Sequence, residues 1–181
     1  DEEVVDIVVG GGLLPPTLTI PADASVDEGV RLAPAPVVST NPNGGAAPLL
    51  TAENLPSGAT FSSSSGTFEW VPAFDQAGVF VVTFVARADG LTSRRDWRVT
   101  VRDVNRAPVG GGNAFFAATE GTELVGQLAA VDPDGDALTF SLLNGPPGLT
   151  VDAAGVLRFT PVLDDFGLQR ATVAVVDSRG A

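Results

Sequence analysis

Three aspartates at alternating positions are the residues of this 181-residue chain whose type and spacing best suit a chemical role. Asp132, Asp134 and Asp136 stand in the segment Asp-Pro-Asp-Gly-Asp, where Pro and Gly favour a tight turn. Such a turn can bring together carboxylates that otherwise repel, and Ca²⁺ takes about six to eight oxygen ligands. The spacing predicts a calcium site. It is not an EF-hand, because Leu143 stands where the closing glutamate would be.

The same segment has a simpler interpretation as a solvated β-turn that needs no metal. At the corresponding place in the first half of the chain, residues 41–45 read Asn-Pro-Asn-Gly-Gly, which keeps the turn signal without the charges. Only the region 105–136 is therefore a candidate for metal binding, and the turn alone is the alternative there.

The residue types that the chain lacks exclude most catalytic chemistry. It contains no Cys and no His, and all ten of its basic residues are Arg. Thiol catalysis, Ser-His-Asp catalysis and lysine Schiff bases are therefore impossible. Asp164 and Asp165 are neighbours on a predicted loop, which lacks the cleft that a catalytic acid pair needs. We predict that the chain is not an enzyme.

The net charge of −12 bears on the partners of the chain. Nucleic-acid binding requires a basic footprint, so we predict no nucleic-acid partner. Divalent cations are what such a surface attracts. No apolar run approaches the roughly 20 residues that cross a bilayer, so we predict no membrane insertion in this segment.

An internal repeat organises the chain. Residues 55–61 (LPSGATF) and 66–72 (GTFEWVP) return about 90 positions later at 145–151 (GPPGLTV) and 155–161 (GVLRFTP). Repetition at a fixed period indicates two copies of one module.

Within each copy the pattern is that of β-strands. Trp97, Val99 and Val101 alternate with polar residues, and residues 79–86 and 171–176 are more continuously apolar, as expected of central strands. Trp70 also alternates with polar neighbours, so we expect both tryptophans in a core rather than on a sugar-binding face. Arg94 and Arg95 are expected in a charged loop before a strand. The fold class predicted is all-β, with two tandem β-sandwich modules.

The ends of the chain are out of phase with this repeat. We expect residues 1–14 to be a strand and linker of a preceding module or a donated strand. We expect residues 15–105 to form module 1 and residues 106–181 to form module 2, which would lack its last strand. One explanation is a fragment of a longer array. The other is that Val4, Val5, Ile7 and Val9 of one molecule fill the open strand edge of another and build a filament.

Several segments carry a resemblance to known families. Residues 130–141 (AVDPDGDALTFS), 155–161 and the linker 101–108 (VRDVNRAP) resemble cadherin-like repeats of the bacterial and dystroglycan-type branch. The first copy is similar to the related Ig-like modules of bacterial surface proteins. The resemblance implies two tandem Ig-like or cadherin-like β-sandwiches. It also implies a non-catalytic structural or adhesive role in a protein that is secreted or on the cell surface.

The resemblance also implies a set of calcium ligands. It assigns Asp103 and Asn105 in the linker, Asp132 and Asp134 as a pair, and Asp177 as the distal ligand, and it matches Glu28 to the family's early glutamate. Two departures matter, because the second linker aspartate is missing and Arg106 brings a positive charge. We therefore expect one ion, which would stiffen the junction between modules.

Two other functions stay open. The chain is alternatively a subunit of a filament, or of a surface or viral lattice, assembled by strand complementation between chains. Binding of polysaccharide would need an exposed aromatic face, which the sequence does not identify. The expected partners are neighbouring modules or copies of the chain itself.

Overall fold

The computed structural model describes residues 11–181, and its regular secondary structure is almost entirely β-strand. The all-β prediction is confirmed. The chain separates into two compact units, Asp1–Val104 and Asn105–Ala181, each described here by itself. Val4, Val5, Ile7 and Val9 lie outside the described residues. Among residues 11–181, no helix is long and apolar enough to span a membrane.

The first unit has eight strands among its described residues. They are β1 (Thr17–Thr19), β2 (Ala24–Asp27), β3 (Val38–Thr40), β4 (Leu49–Glu53), β5 (Thr60–Ser62), β6 (Thr67–Glu69), β7 (Gly78–Ala88) and β8 (Leu91–Arg102). One sheet has the order β2-β8-β7-β4, with β2 parallel to β8 and the other pairs antiparallel. Two further pairs, β1-β3 and β5-β6, are both antiparallel.

The central position of β7 follows from its composition. Its apolar run is bounded by β4 on one edge and β8 on the other, which confirms the prediction of a central strand. The turn into β8 is made at Asp89 and Gly90, both of which have positive φ, as a two-residue type I′ turn requires. Because this turn comes early, Arg94 and Arg95 lie inside β8. The prediction that they form a loop was wrong.

Aromatic side chains fill the core of the first unit. Trp97 is fully buried and Trp70 is 2% exposed, which confirms that both belong to the core. Phe68 packs edge-on against Trp97 with ring centroids 5.1 Å apart. The two indole N–H groups donate to the carbonyls of Ser57 and Ala22. The polar atom of each tryptophan is therefore satisfied where the ring is buried.

The second unit has seven strands and one short 3-10 turn, Leu163–Asp165. The strands are β9 (Val109–Gly110), β10 (Leu124–Gln127), β11 (Ala130–Val131), β12 (Leu138–Asn144), β13 (Thr150–Val151), β14 (Val156–Phe159) and β15 (Thr172–Asp177). They pair as β10-β14-β13, β11-β9 and β12-β15, all antiparallel. Among the described residues β15 has β12 as its single partner, so the prediction of a central strand at 171–176 is not confirmed. Its buried cluster is small and consists of Leu149, Leu157 and Phe159.

Candidate metal centre

Four aspartates of the second unit meet where β12 begins and β15 ends. Asp132 directly follows β11, and Asp134 and Asp136 lie in the turn before β12. Asp177 is the last residue of β15, and the antiparallel register pairs it with Leu138, the first residue of β12. This register brings Asp177 to the turn that carries the other three carboxylates.

The turn itself is held by the side chain of Asp132. Its Oδ1 accepts hydrogen bonds from the backbone N–H of Asp134 at 2.8 Å and of Asp136 at 3.1 Å. Gly135 takes φ +80°, a conformation that suits glycine. As a result, Asp132, Asp134 and Asp136 each place one carboxylate oxygen within 4.8 Å of the other two.

Asp177 joins this group through its second oxygen. Its Oδ1 accepts from the backbone N–H groups of Arg179, Gly180 and Ala181, and its Oδ2 accepts from Asn105 Nδ2 at 2.8 Å. The Ala181 N–H, followed by the other donors, holds the pKa of Asp177 below its ordinary value, although burial opposes this. The carboxylate is therefore ionised at neutral pH.

Two arginines contact the remaining aspartates. Arg106 Nε donates to Asp134 Oδ1 at 2.8 Å, and Arg106 N donates to Asp134 Oδ2 at 2.7 Å. These hydrogen bonds lower the pKa of Asp134, the side-chain bond having the larger effect. Arg179 Nε lies 3.3 Å from Asp136 Oδ2. Four carboxylates thus face two guanidinium groups, which leaves a net charge of about −2.

Unpaired oxygens are the feature that favours a cation here. Among residues 11–181, the buried side-chain polar atoms without a hydrogen-bond partner are Asn105 Oδ1, Asp132 Oδ2 and Asp136 Oδ2. All three belong to this group of residues, and Asp132 is only 8% exposed. Buried polar atoms normally find partners, because leaving one unpaired costs about 1–3 kcal/mol. The oxygen ligands and the net charge of about −2 of this group of residues suit Ca²⁺.

The first unit contains the same frame with one carboxylate, that of Asp89, in place of four. Asn41 Oδ1 accepts from the N–H of Asn43 at 3.0 Å, as Asp132 Oδ1 accepts from Asp134. Asn41 Nδ2 and Asn43 Nδ2 both donate to Asp89 Oδ2, at 2.9 and 3.2 Å. Amide nitrogens therefore satisfy the aspartate in the first unit. Unpaired oxygens stand at the corresponding place in the second.

Family comparisons agree with the repeat. Residues 105–181 match the family model described as Bacterial Ig domain, and residues 15–102 match the one described as Putative Ig domain. The chain is a tandem pair of Ig-like repeats. The first Ig-like repeat falls in the first unit and the second Ig-like repeat coincides with the second unit.

Solved structures resemble the fold of the tandem Ig-like repeats. Drosophila N-cadherin EC1-4 aligns with a TM-score of 0.57 at 15% identity, over 92% of this chain and 49% of that one. Human protocadherin-24 EC1-2 aligns with a TM-score of 0.51 at 16% identity, over 94% of this chain and 89% of that one. At these identities the likeness concerns the fold alone. The predicted Ig-like and cadherin-like sandwiches are confirmed.

One curated relative also matches part of the tandem Ig-like repeats. Integrin beta-like protein A of Dictyostelium discoideum is 32% identical over 87 residues, which are 45% of this chain. The matched part spans 4% of that relative's length.

The predicted ligands are distributed as follows. Asn105, Asp132, Asp134, Asp136 and Asp177 lie together in the second Ig-like repeat. Asp103 belongs to the first unit, just after β8. Glu28 is 3% exposed, and its two oxygens accept the backbone N–H groups of Gln76 and Val104 within the first unit. Sequence reasoning missed Arg179, for which its place two residues after Asp177 was the available signal.

Proposed function

We propose that the tandem Ig-like repeats form a non-catalytic structural or adhesive segment of an extracellular bacterial surface protein. The second repeat binds one Ca²⁺ through Asn105, Asp132 and Asp136. The observation that carries this proposal is the set of three buried oxygens that accept no hydrogen bond, all within one acidic group. The family descriptions support the structural or adhesive role and the surface location, because such modules serve as spacers and contact elements.

The oxygens assigned to the ion are those that accept no hydrogen bond. Asn105 Oδ1 and Asp132 Oδ2 are open to a ligand, and Asp136 Oδ2 is contacted by the ion pair with Arg179 Nε at 3.3 Å. Both oxygens of Asp134 accept hydrogen bonds from Arg106, and both oxygens of Asp177 are also used. Asp134 and Asp177 would bind the ion only by exchanging these contacts. Asp103 stays a predicted ligand, and through it the ion would stiffen the linker between modules.

Calorimetric melting with calcium or a chelator tests the metal. Free calcium at about 100 times its Kd should raise the melting temperature of the second unit by about 10 °C. Asp132→Asn should abolish the rise, because it removes the charge at the unpaired oxygen and keeps the turn that Asn41 makes in the first unit. Mg²⁺ should act more weakly, since it keeps its waters.

A matched control exists in the same unit. Asp152 accepts the N–H groups of Ala154 and Val156 in another turn, so Asp152→Asn makes the same chemical change away from the acidic group. This variant should keep the calcium response. Calcium should also slow tryptic cleavage after Arg106. If neither the melting temperature nor this cleavage changes with calcium or chelator, the metal assignment is wrong.

A second function is favoured by the edge of β15. The central strand β7 has a neighbour on each side, whereas the described chain pairs β15 with β12 alone. In the first unit β8 covers this position and buries Trp97, Val99 and Val101 in the core. We infer that strand complementation is the alternative role. Residues 4–9 of a second copy would then pair with β15, with Val5, Ile7 and Val9 facing the core of the second unit. Val4 would lie on the opposite face of the same strand.

Light scattering and electron microscopy separate the two roles. Strand exchange predicts polymers that disappear on Ile7→Asp and persist on Val8→Asp, which places the same charge on the other face of the strand. A synthetic peptide of residues 1–12 should then bind the chain that lacks residues 1–10. Monomers at high concentration, with no peptide binding, would contradict exchange between copies and leave the structural or adhesive role.

A further inference from the structure

Arg106 engages a single aspartate through both its backbone and its side chain. Its N–H donates to Asp134 Oδ2 at 2.7 Å, while Nε and Nη2 lie 2.8 and 2.6 Å from Asp134 Oδ1. Nη2 also donates to the carbonyl of Pro133 at 2.7 Å. The Asp134 side chain is only 9% exposed, and that of Arg106 is 33% exposed. The guanidinium group is therefore a fixed part of the turn and not a loose surface charge.

In the first unit the corresponding backbone hydrogen bond occurs without a guanidinium group. There Leu14 occupies the place of Arg106, and its N–H donates to Asn43 Oδ1 at 2.9 Å. The backbone hydrogen bond alone is thus enough to hold this frame when the turn is neutral. The guanidinium group occurs together with the aspartates, which indicates that its role is to balance charge.

We propose that Arg106 is a built-in cation of the acidic group, which replaces a second metal ion at Asp134 and keeps the second unit folded without calcium. This inference rests on the proposed calcium site and names the residue that sets how many ions it takes. Asp132, Asp134, Asp136 and Asp177 contribute four negative charges. Arg106 and Arg179 balance two of them, and the rest match one Ca²⁺.

A tethered guanidinium group differs from a bound ion in two respects. It stays protonated over the whole physiological pH range, and its local concentration does not depend on the medium. Without it, three charges would be unopposed in the apo protein, and close carboxylates repel each other. The apo unit would then depend on calcium for folding, as many small metal-binding domains do.

The variant Arg106→Gln tests this role, with Arg158→Gln as the matched control. Arg158 belongs to the same unit, and its guanidinium group lies 3.4 Å from the exposed Glu123. In chelator, calorimetry should show the second unit of Arg106→Gln melting about 4 °C or more below the wild type. Calcium should close this gap. Arg158→Gln should melt like the wild type in both media.

Isothermal titration provides the second measurement. Arg106→Gln should bind a second Ca²⁺, or bind the first about tenfold more tightly, because it frees a carboxylate. Arg106→Lys should melt between the wild type and Arg106→Gln in chelator, since it keeps the charge and loses the two-pronged contact. If Arg106→Gln folds only when calcium is present, the inference is supported.

The outcomes distinguish the inference from the proposed function. One ion in the wild type, with Arg106→Gln unchanged in stoichiometry, affinity and chelator stability, overturns the role of Arg106 and leaves the calcium site. Binding by Arg106→Gln alone overturns the wild-type calcium site and supports Arg106 as the resident cation. Absence of binding in both proteins overturns both statements.

Discussion

Asn43 clamps the backbone of Leu14 with two hydrogen bonds, from Leu14 N to Asn43 Oδ1 and from Asn43 Nδ2 to Leu14 O, each 2.9 Å long. The amide side chain thereby anchors the segment that precedes β1. In the second repeat Asp134 receives the N–H of Arg106 but has no group that can donate back. The same frame thus exists with one carboxylate, which side-chain amides satisfy, and with four carboxylates, and only the second form has uncompensated charge that favours a cation.

Gly66 is predicted to be the glycine of the first unit least tolerant of substitution. It has φ +68°, and an added Cβ would lie 2.0 Å from the carbonyl oxygen of Val37. Gly58 has φ +81° with nothing within 4 Å of an added Cβ, so it is the matched control. Gly58→Ala should cost about 1–2 kcal/mol from its backbone conformation. Gly66→Ala should cost clearly more in chemical denaturation, and equal losses would contradict the steric argument.

Glu28→Ala should destabilise the first unit by about 1–3 kcal/mol, because two backbone N–H groups lose their acceptor. Glu53→Ala is the control, since Glu53 forms an exposed ion pair with Arg94 and should change stability by about 1 kcal/mol or less. Urea midpoints of the two variants provide the comparison. A similar small effect for both variants would show that the two hydrogen bonds of the buried Glu28 carboxylate do not stabilise the first unit.

Asp27 should make a small contribution to the acid sensitivity of the first unit. The Arg102 side chain, 2.5 Å away, lowers the pKa of Asp27 below its ordinary value of 3.8. When the pKa of a carboxyl group is lower in the folded state than in the unfolded state, ionisation of the group stabilises the fold. This stabilisation is complete above the unfolded pKa and is lost as the pH falls through the folded pKa. The stability difference between wild type and Asp27→Asn should therefore shrink below about pH 4. Urea unfolding at several pH values, in chelator, measures it, and a constant difference would refute it.

Amide protons of β15 should exchange faster than those of β7. The reason is that β7 is flanked by β4 and β8, while β15 pairs only with β12 in the described chain. Hydrogen exchange with mass spectrometry at low protein concentration tests this. Protection of β15 that rises with concentration would favour strand exchange between copies. Equal protection at every concentration would mean that the edge is covered within one molecule.

Alternating patterns predicted the strands and the core because they depend on local spacing alone. Trp97, Val99 and Val101 followed from period two, and the turn at Asp132 followed from its Pro and Gly. The pairing of Leu138 with Asp177 depends on which strands become neighbours, which local patterns do not encode. The ion pair between Arg106 and Asp134 depends on the side-chain conformation of Arg106, which the sequence pattern does not specify. The carboxylates were therefore predictable, and the way their charges are balanced was not.

The burial of Trp70 and Trp97 in one unit has a practical consequence. The chain has two tryptophans and no tyrosine, and both tryptophans lie in the core of the first unit. Intrinsic tryptophan fluorescence therefore reports on the unfolding of the first repeat and not on the unfolding of the second. A transition seen by calorimetry but not by fluorescence belongs to the repeat that carries the acidic group, so the unmodified chain reports on its two halves separately.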